Sequence, residues 1–318
     1  MGNKRKALIV GIDYYEHGKN LKGCVRDAHR IANLLERHGN GTINFDVKLL
    51  VGVSESFQIS HETLWEQIVK LFKTDGDALF YFSGHGHIEN EHGYLMTSEC
   101  KDGDQGVSMA DILELANNSK AKNKIIILDS CYSGGAVTDF QSEDALLSKG
   151  TTILTAAAED QYAMEKNGEG VFTSLLVDAL IGSAANLVGE ITPGSIYAHI
   201  DKALGAWQQR PLFKTNVKDF VSLRKIQPPI SHQDLIQITE LFEDKNYEFP
   251  LDPTYEPTEK IALKENTEKF AILQKYRALN LVVPIGEEHM YFAAINSKSC
   301  ELTLLGQHYW NLVKNKRI

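Results

Sequence analysis

Residues 77–87 read DALFYFSGHGH and residues 123–135 read NKIIILDSCYSGG, and these two stretches decide the fold. Their apolar runs, 78–82 and 125–128, are short, rich in β-formers and bounded by polar residues, as strands buried on both faces are. Each run leads into small residues that carry one reactive side chain. The first holds Ser83-Gly84-His85-Gly86, the second Asp129-Ser130-Cys131-Tyr132-Ser133-Gly134-Gly135. Both segments are predicted to be loops. At the ends of two parallel strands, a histidine and a cysteine face one another across the sheet's carboxyl edge, where open α/β sheets build their sites.

The flanking sequence repeats this alternation. Residues 6–11 (KALIVG), 45–51 and 151–156 (TTILTA) read as strands, 93–96 as a hairpin strand and 219–223 (DFVSL) as a last strand. Ala28, Ile31, Ala32 and Leu35 mark one face of a helix, and Leu64, Trp65, Ile68, Leu71 and Phe72 mark a second. Ser108 caps a third, and 171–181 and 193–204 read as two more. Strands alternating with helices predict an α/β fold, a mainly parallel sheet of about six strands with helices on both faces. Gln227-Pro228-Pro229 marks a boundary, so domains of 1–227 and 228–318 are expected. The second domain reads as a small α+β module. Its helices are expected at 231–244, 267–279 and 304–313 and its strands at 281–284 and 291–294, an order open to a winged helix or a helical appendage.

Composition narrows the function. The 318-residue chain carries 33 Lys and Arg against 42 Asp and Glu, a formal charge of −9. That balance disfavours general nucleic-acid binding and mildly favours cationic substrates. The basic run Lys314, Lys316 and Arg317 reads as a solvated tail. No apolar run approaches the roughly 20 residues of a membrane helix, and residues 7–10 are too few for a signal-peptide core. A cytoplasmic protein without a membrane partner is expected. Cys24, Cys100, Cys131 and Cys300 are scattered without a CxxC, which speaks against a disulfide framework. His85, His87, His92 and Cys100 cluster in sequence, but their spacing fits no zinc pattern, and no metal is expected.

The SGHG and DSCYSGG stretches together resemble the caspase–metacaspase clan of cysteine peptidases, the second in its metacaspase and bacterial form. His85 precedes Cys131 by 46 residues (131 − 85), against about 50 in caspases. The likeness extends to ALIVGIDYY and LKGCVRDA near the start, to residues 152–180 and to WQQRPLF, and so covers roughly 6–225. It implies a cysteine endopeptidase in which Cys131 attacks the scissile carbonyl and His85 protonates the departing amine. The backbone N–H groups of Gly86 and Cys131 are the implied oxyanion hole. No cofactor is implied for the chemistry. Calcium activates some metacaspases, but no calcium ligands are identifiable here.

By the same resemblance Asp27, Asp129 and Ser83 line the first specificity pocket, with Cys24 beside them. Two carboxylates in a partly dry pocket suit a guanidinium or ammonium and repel an aspartate. The substrate is therefore expected to be a protein or peptide cut after Arg, or less readily Lys. Animal caspases hold aspartate with arginines; where one of these sits, this chain has Ala163-Met164-Glu165. Arg26 replaces the family's usual asparagine. Ala156 and Ala157 are expected to present backbone to an extended peptide, and Asp160 and Glu165 to shape further subsites. Lys149, the one basic residue of the linker 136–150, is the expected self-cleavage site. The resemblance implies a role in regulated cell death or defence, with an activating partner or a ligand of the C-terminal module unidentified. Two other readings stay open: an inactive caspase-like scaffold, and a regulator that binds a partner or nucleic acid through its C-terminal module. The intact His85 and Cys131 argue against the scaffold.

Overall fold

β1 (Arg5–Ile12), β3 (Asp77–Glu89) and β6 (Asn123–Ser133) form the middle of a sheet whose order is β2-β1-β3-β6-β7-β9. β2 is Asp46–Gly52, β7 Thr151–Thr155 and β9 Leu212–Asn216; all neighbours are parallel except β7 and β9. The structure is a computed structural model that describes residues 4–89, 92–101, 106–133, 147–156, 171–204 and 211–318, with backbone alone at 131–133. Among the described residues the chain forms two compact units, Met1–Gln227 and Pro228–Ile318.

The sheet is buried on both faces because the middle segments of its central strands, 7–10, 78–82 and 125–128, are apolar throughout. Leu8, Val10, Phe80, Phe82, Ile126 and Leu128 pack into one layer with α2 (His61–Phe72) and α3 (Met109–Asn118). Ala7, Ile9, Leu79, Tyr81, Ile125 and Ile127 pack into the other with α1 (Cys24–Glu36), α4 (Val171–Asp178) and α5 (Pro193–Ala203). Alternate strand positions share a face, so odd positions of β3 look toward α1 and α4. The caps are local: Ser60, Ser108 and Thr192 side chains accept backbone N–H groups at the starts of α2, α3 and α5.

β3 and β6 continue past the apolar runs that define them. The ladder runs on from Ser83 opposite Asp129 to His87 opposite Ser133. Segments 83–86 and 129–133 are therefore strand and not loop, as the sequence had suggested. A backbone ladder tolerates polar side chains where the strand rises above the core. β4 (His92–Leu95) folds back antiparallel on the end of β3, and β5 (Val107–Ser108) pairs with β4. The expected last strand at 219–223 is a second correction. That strand is β9, antiparallel to β7, while Leu223 is fully buried and its N–H bonds to the Ile191 carbonyl. LFKTN meets the open edge of β7; DFVSL is held by the burial of Leu223 and by Asn44 and Arg5, whose side chains donate to the Leu223 and Ser222 carbonyls, beside the short strand pair Glu190–Ile191 with Arg224–Lys225.

In the second unit Phe249–Pro250, Ser299–Leu302 and Val282–Ile285 make a three-stranded antiparallel sheet in that order. Helices run over His232–Ile236, Ile238–Leu241, Lys264–Ala278, Met290–Ile295 and Leu304–Lys314. Residues 291–294, expected as a strand, belong to a helix with Ala293 and Ala294 fully buried. A helix thus stands where a wing's hairpin would turn.

Gly11 marks how closely α1 lies on β1: a Cβ there would collide with the Cys24 carbonyl and come within 2.7 Å of the Ala28 Cβ. Gly11→Ala is expected to lower stability by about 1–3 kcal/mol, read as a fall in the urea midpoint. Gly18→Ala, whose Cβ meets only Tyr15 Cβ at 3.5 Å, is expected to stay within about 0.5 kcal/mol.

Candidate active site

The strand order reverses between β1 and β3, because β1 connects outward to β2 before the chain returns to β3. Such a switch point opens a crevice at the carboxyl edge. His85 and Cys131 stand in register across β3 and β6 above it, and neighbouring strands lie about 4.8 Å apart. Pairing thus brings the two candidate catalytic positions together; the Cys131 side chain lies outside the described residues.

The His85 imidazole is held by the loop that leaves β1. Its Nε2 lies 2.7 Å from the Lys19 carbonyl oxygen. A carbonyl can only accept, so Nε2 carries the hydrogen and Nδ1 is left as the basic nitrogen. The His85 N–H donates to the Tyr15 hydroxyl at 2.7 Å, and the two rings sit 4.6 Å apart between centroids. Gly84 owes its place to the same tyrosine: a Cβ there would come within 2.6 Å of the Tyr15 hydroxyl. Gly86, read as an oxyanion donor, stands within the ladder, opposite Tyr132 and Leu95.

Cys24, Ser83, Asp27 and Asp129 converge beside this pair. Ser83 hydrogen-bonds the Cys24 thiol, and the charges of Asp13, Asp129 and Asp27 reach it. Burial, aided by those charges, pushes the thiol up to about 12, so Cys24 stays a neutral wall. Asp27, on α1, is 2 % exposed. Arg30 approaches its Oδ1 at 3.6 Å. Burial raises the Asp129 carboxyl above the ordinary aspartate value; hydrogen bonds from Thr173 oppose the shift. Thr173 donates to Asp129 Oδ2 at 2.6 Å, and Tyr81 meets Thr173 Oγ1 at 2.7 Å. Burial, then the Asp129 charge, keeps Tyr81 protonated well above its usual range, so Tyr81 donates to Thr173, which donates to Asp129.

Asp13, Tyr15, Tyr81 and Thr173 lie within the quoted segments but were given no role by them, yet they set this geometry. Asp13 Oδ1 accepts the N–H groups of Gly23, Cys24 and Val25 at 3.2, 2.9 and 3.4 Å. A carboxylate at a helix N-terminus is stabilised by the orphan donors and the helix dipole, and here it fixes the turn that carries Cys24 and Asp27. Gly23 supplies the left-handed backbone, φ 141°, that begins it. An aspartate twelve residues or fewer before a Gly-led helix start was the one legible signal.

Other expected positions fall differently. Ala156 ends β7 with its N–H on the Leu128 carbonyl; Ala157, Asp160 and Glu165 lie outside the described residues. Lys149 sits in a tight turn: its carbonyl accepts the Lys124 ammonium at 2.5 Å, Gly150 follows at φ 86°, and the Gly150 N–H bonds to the Asn216 carbonyl. Among the described residues no group of three His, Cys, Asp or Glu side chains is placed to hold a metal ion. No described helix is long and apolar enough to cross a membrane.

The caspase domain family (peptidase C14) matches residues 4–237. Metacaspase-7 of Arabidopsis thaliana is 26 % identical over 200 residues, 57 % of this chain and 47 % of that protein. Metacaspase-8 of the same plant is 29 % identical over 158 residues, 44 % of this chain and 39 % of that protein. Metacaspase-1 of Saccharomyces cerevisiae is 31 % identical over 117 residues, 35 % of this chain and 24 % of that protein. The chain spans less than half the length of these relatives. The crystal structure of protein GSU0716 from Geobacter sulfurreducens shares the fold, with a TM-score of 0.53 over 71 % of this chain and all of that one at 16 % identity.

Thr173→Val leaves Tyr81 and Asp129 each short of a partner, a loss of about 1–3 kcal/mol. The Asp129 folded pKa is raised, and losing the donor raises it further. Charged Asp129 therefore destabilises the variant most above that pKa, and the deficit shrinks as the carboxyl protonates. Urea unfolding of both proteins is expected to show the larger gap at neutral pH and the smaller in acid.

Proposed function

Because the chain belongs to the caspase domain family of cysteine peptidases, we propose that it is an endopeptidase that cuts protein substrates after Arg, and less readily after Lys, with His85 and Cys131 as its dyad. The observation that carries this reading is the register of His85 with Cys131 beside a pocket holding both Asp27 and Asp129. The Cys131 thiolate forms a C–S bond to the scissile carbonyl carbon. As the tetrahedral intermediate collapses, the C–N bond breaks and His85 gives its Nδ1 proton to the leaving amine. Water then attacks the thioester, His85 takes its proton, and the carboxylic product leaves with the thiolate restored. The Lys19 carbonyl keeps the proton on Nε2 throughout, so Nδ1 is the nitrogen that exchanges.

The acid pocket supplies the preference. Asp27 and Asp129 receive a guanidinium, while an aspartate side chain would meet the same two carboxylates. A role in regulated cell death or defence, in the cytoplasm, belongs to this reading. Self-cleavage after Lys149 belongs to it as well, and requires the clamped turn to open first.

A fluorogenic panel with Arg, Lys, Asp and Leu at the cleavage position, run with and without calcium, tests the preference. Arg is expected to lead and Lys to follow; preference for Asp overturns the pocket assignment. Cys131→Ala and His85→Ala are each expected to lose about a thousandfold or more in kcat. Asp27→Asn and Asp129→Asn are expected to raise KM for the Arg peptide about tenfold to a hundredfold, as the loss of a charge-assisted hydrogen bond does. The Asp129 carboxyl titrates above the ordinary aspartate value, so KM for Arg is expected to rise on acidification while that carboxyl takes up its proton. Intact masses of wild type and Cys131→Ala that are identical after storage dismiss self-cleavage.

A further inference from the structure

On one side β3 changes neighbours at His85. β1 pairs with it only as far as Gly11 opposite Ser83, two positions short of His85, and β4 begins beyond it, at Gly86 opposite Leu95. The Met96 N–H reaches the His85 carbonyl, and the His85 N–H is left in the gap between the two strands. The Tyr15 hydroxyl takes it instead, at 2.7 Å. The Tyr15 ring is 4 % exposed and lies against the imidazole at 4.6 Å, tilted by 52°. Gly84 leaves room for nothing between the hydroxyl and the strand.

The rest of the loop is built to hold Tyr15 there. Its N–H donates to Asn20 Oδ1 at 2.7 Å, and the Leu21 N–H returns to the Asp13 carbonyl at 2.8 Å. The turn closed in this way presents the Lys19 carbonyl to His85 Nε2. Backbone, ring plane and tautomer of His85 are thus all set from one loop, and Tyr15 touches two of the three directly.

We propose that Tyr15 is a positioning residue for His85, holding its backbone and ring so that Nε2–H meets the Lys19 carbonyl and Nδ1 stays the basic nitrogen. The proposal rests on the reading of His85 as the acid–base partner of Cys131. Tyr15 itself touches no reacting atom. Its hydroxyl fills the gap between β1 and β4, and a small misplacement of an acid–base group can lower turnover as much as a hundredfold.

The test uses the full chain with Tyr15→Phe, which keeps the ring and removes the acceptor. The kcat for an Arg peptide is expected to fall about tenfold to a hundredfold, with KM within about twofold of wild type. A purely structural role would lower the unfolding midpoint without that split. In 1H–15N spectra of the ring, wild type is expected to show His85 as the single Nε2–H tautomer and Tyr15→Phe a mixture. Asn20 is exposed, so Asn20→Ala loosens the turn without opening the core; it is expected to change kcat and tautomer in the same direction, and Asn20→Asp, which keeps the acceptor, to restore them. Unchanged kcat and an unchanged tautomer in both Tyr15→Phe and Asn20→Ala overturn the proposal. If wild type shows no hydrolysis that Cys131→Ala abolishes, the peptidase reading fails by itself. The spectra then still decide the positioning role: a mixture supports it, and a single unchanged tautomer refutes it.

Discussion

Hydrogen bonding between β3 and β6 does not stop at the rim of the sheet, and the candidate site depends on that continuation. Five further pairs, from Ser83 opposite Asp129 to His87 opposite Ser133, carry the backbone above the core. Side chains alternate along a strand, so a slip of one residue would send every one of them to the other face. The buried apolar positions below, Leu79, Tyr81, Ile125 and Ile127 on one side and Phe80, Phe82, Ile126 and Leu128 on the other, forbid such a slip. The core therefore sets the alignment of His85 with Cys131, although neither belongs to it.

What the ladder does not supply, the chain leaving β1 provides. Asp13 ties down the first turn of α1 and with it Cys24 and Asp27; Tyr15 and Lys19 hold His85. One loop thus touches both the acid pocket and the histidine. The pocket itself works against the stability of the fold. Burying carboxylates is unfavourable, and the upward shift of the Asp129 carboxyl, caused by burial, records that penalty. The Tyr81–Thr173–Asp129 chain of donors offsets part of it, and an incoming cation would offset more.

Much of this was legible in the residues. Runs such as ALFYF and KIIIL are too apolar to face water on either side, so the sheet and its two helical layers followed from burial alone. The SGHG and DSCYSGG segments announced the histidine and the cysteine. Where the reading went astray, a neighbour decided. Glycines and serines suggested loops at 83–86 and 129–133, but the two segments pair with each other and remain strands. DFVSL and LFKTN are comparable β-formers, and only the open edge of β7 selects the second. Residues 291–294 are helical because Ala293 and Ala294 meet a core that lies elsewhere in the chain.

Periodicity, the paired reactive segments and the acids in LKGCVRDA and LDSCYS were properties of the polymer itself: they specified an α/β sheet, two candidate catalytic positions and the two acids beside them. The identity of the supporting residues was not. Tyr15 lies 70 residues from His85, Thr173 lies 44 from Asp129, and Tyr81 lies 92 from Thr173. A hydroxyl gains a specific partner only when strand order and helix packing bring it within hydrogen-bonding distance, and that distance exists only in the folded chain.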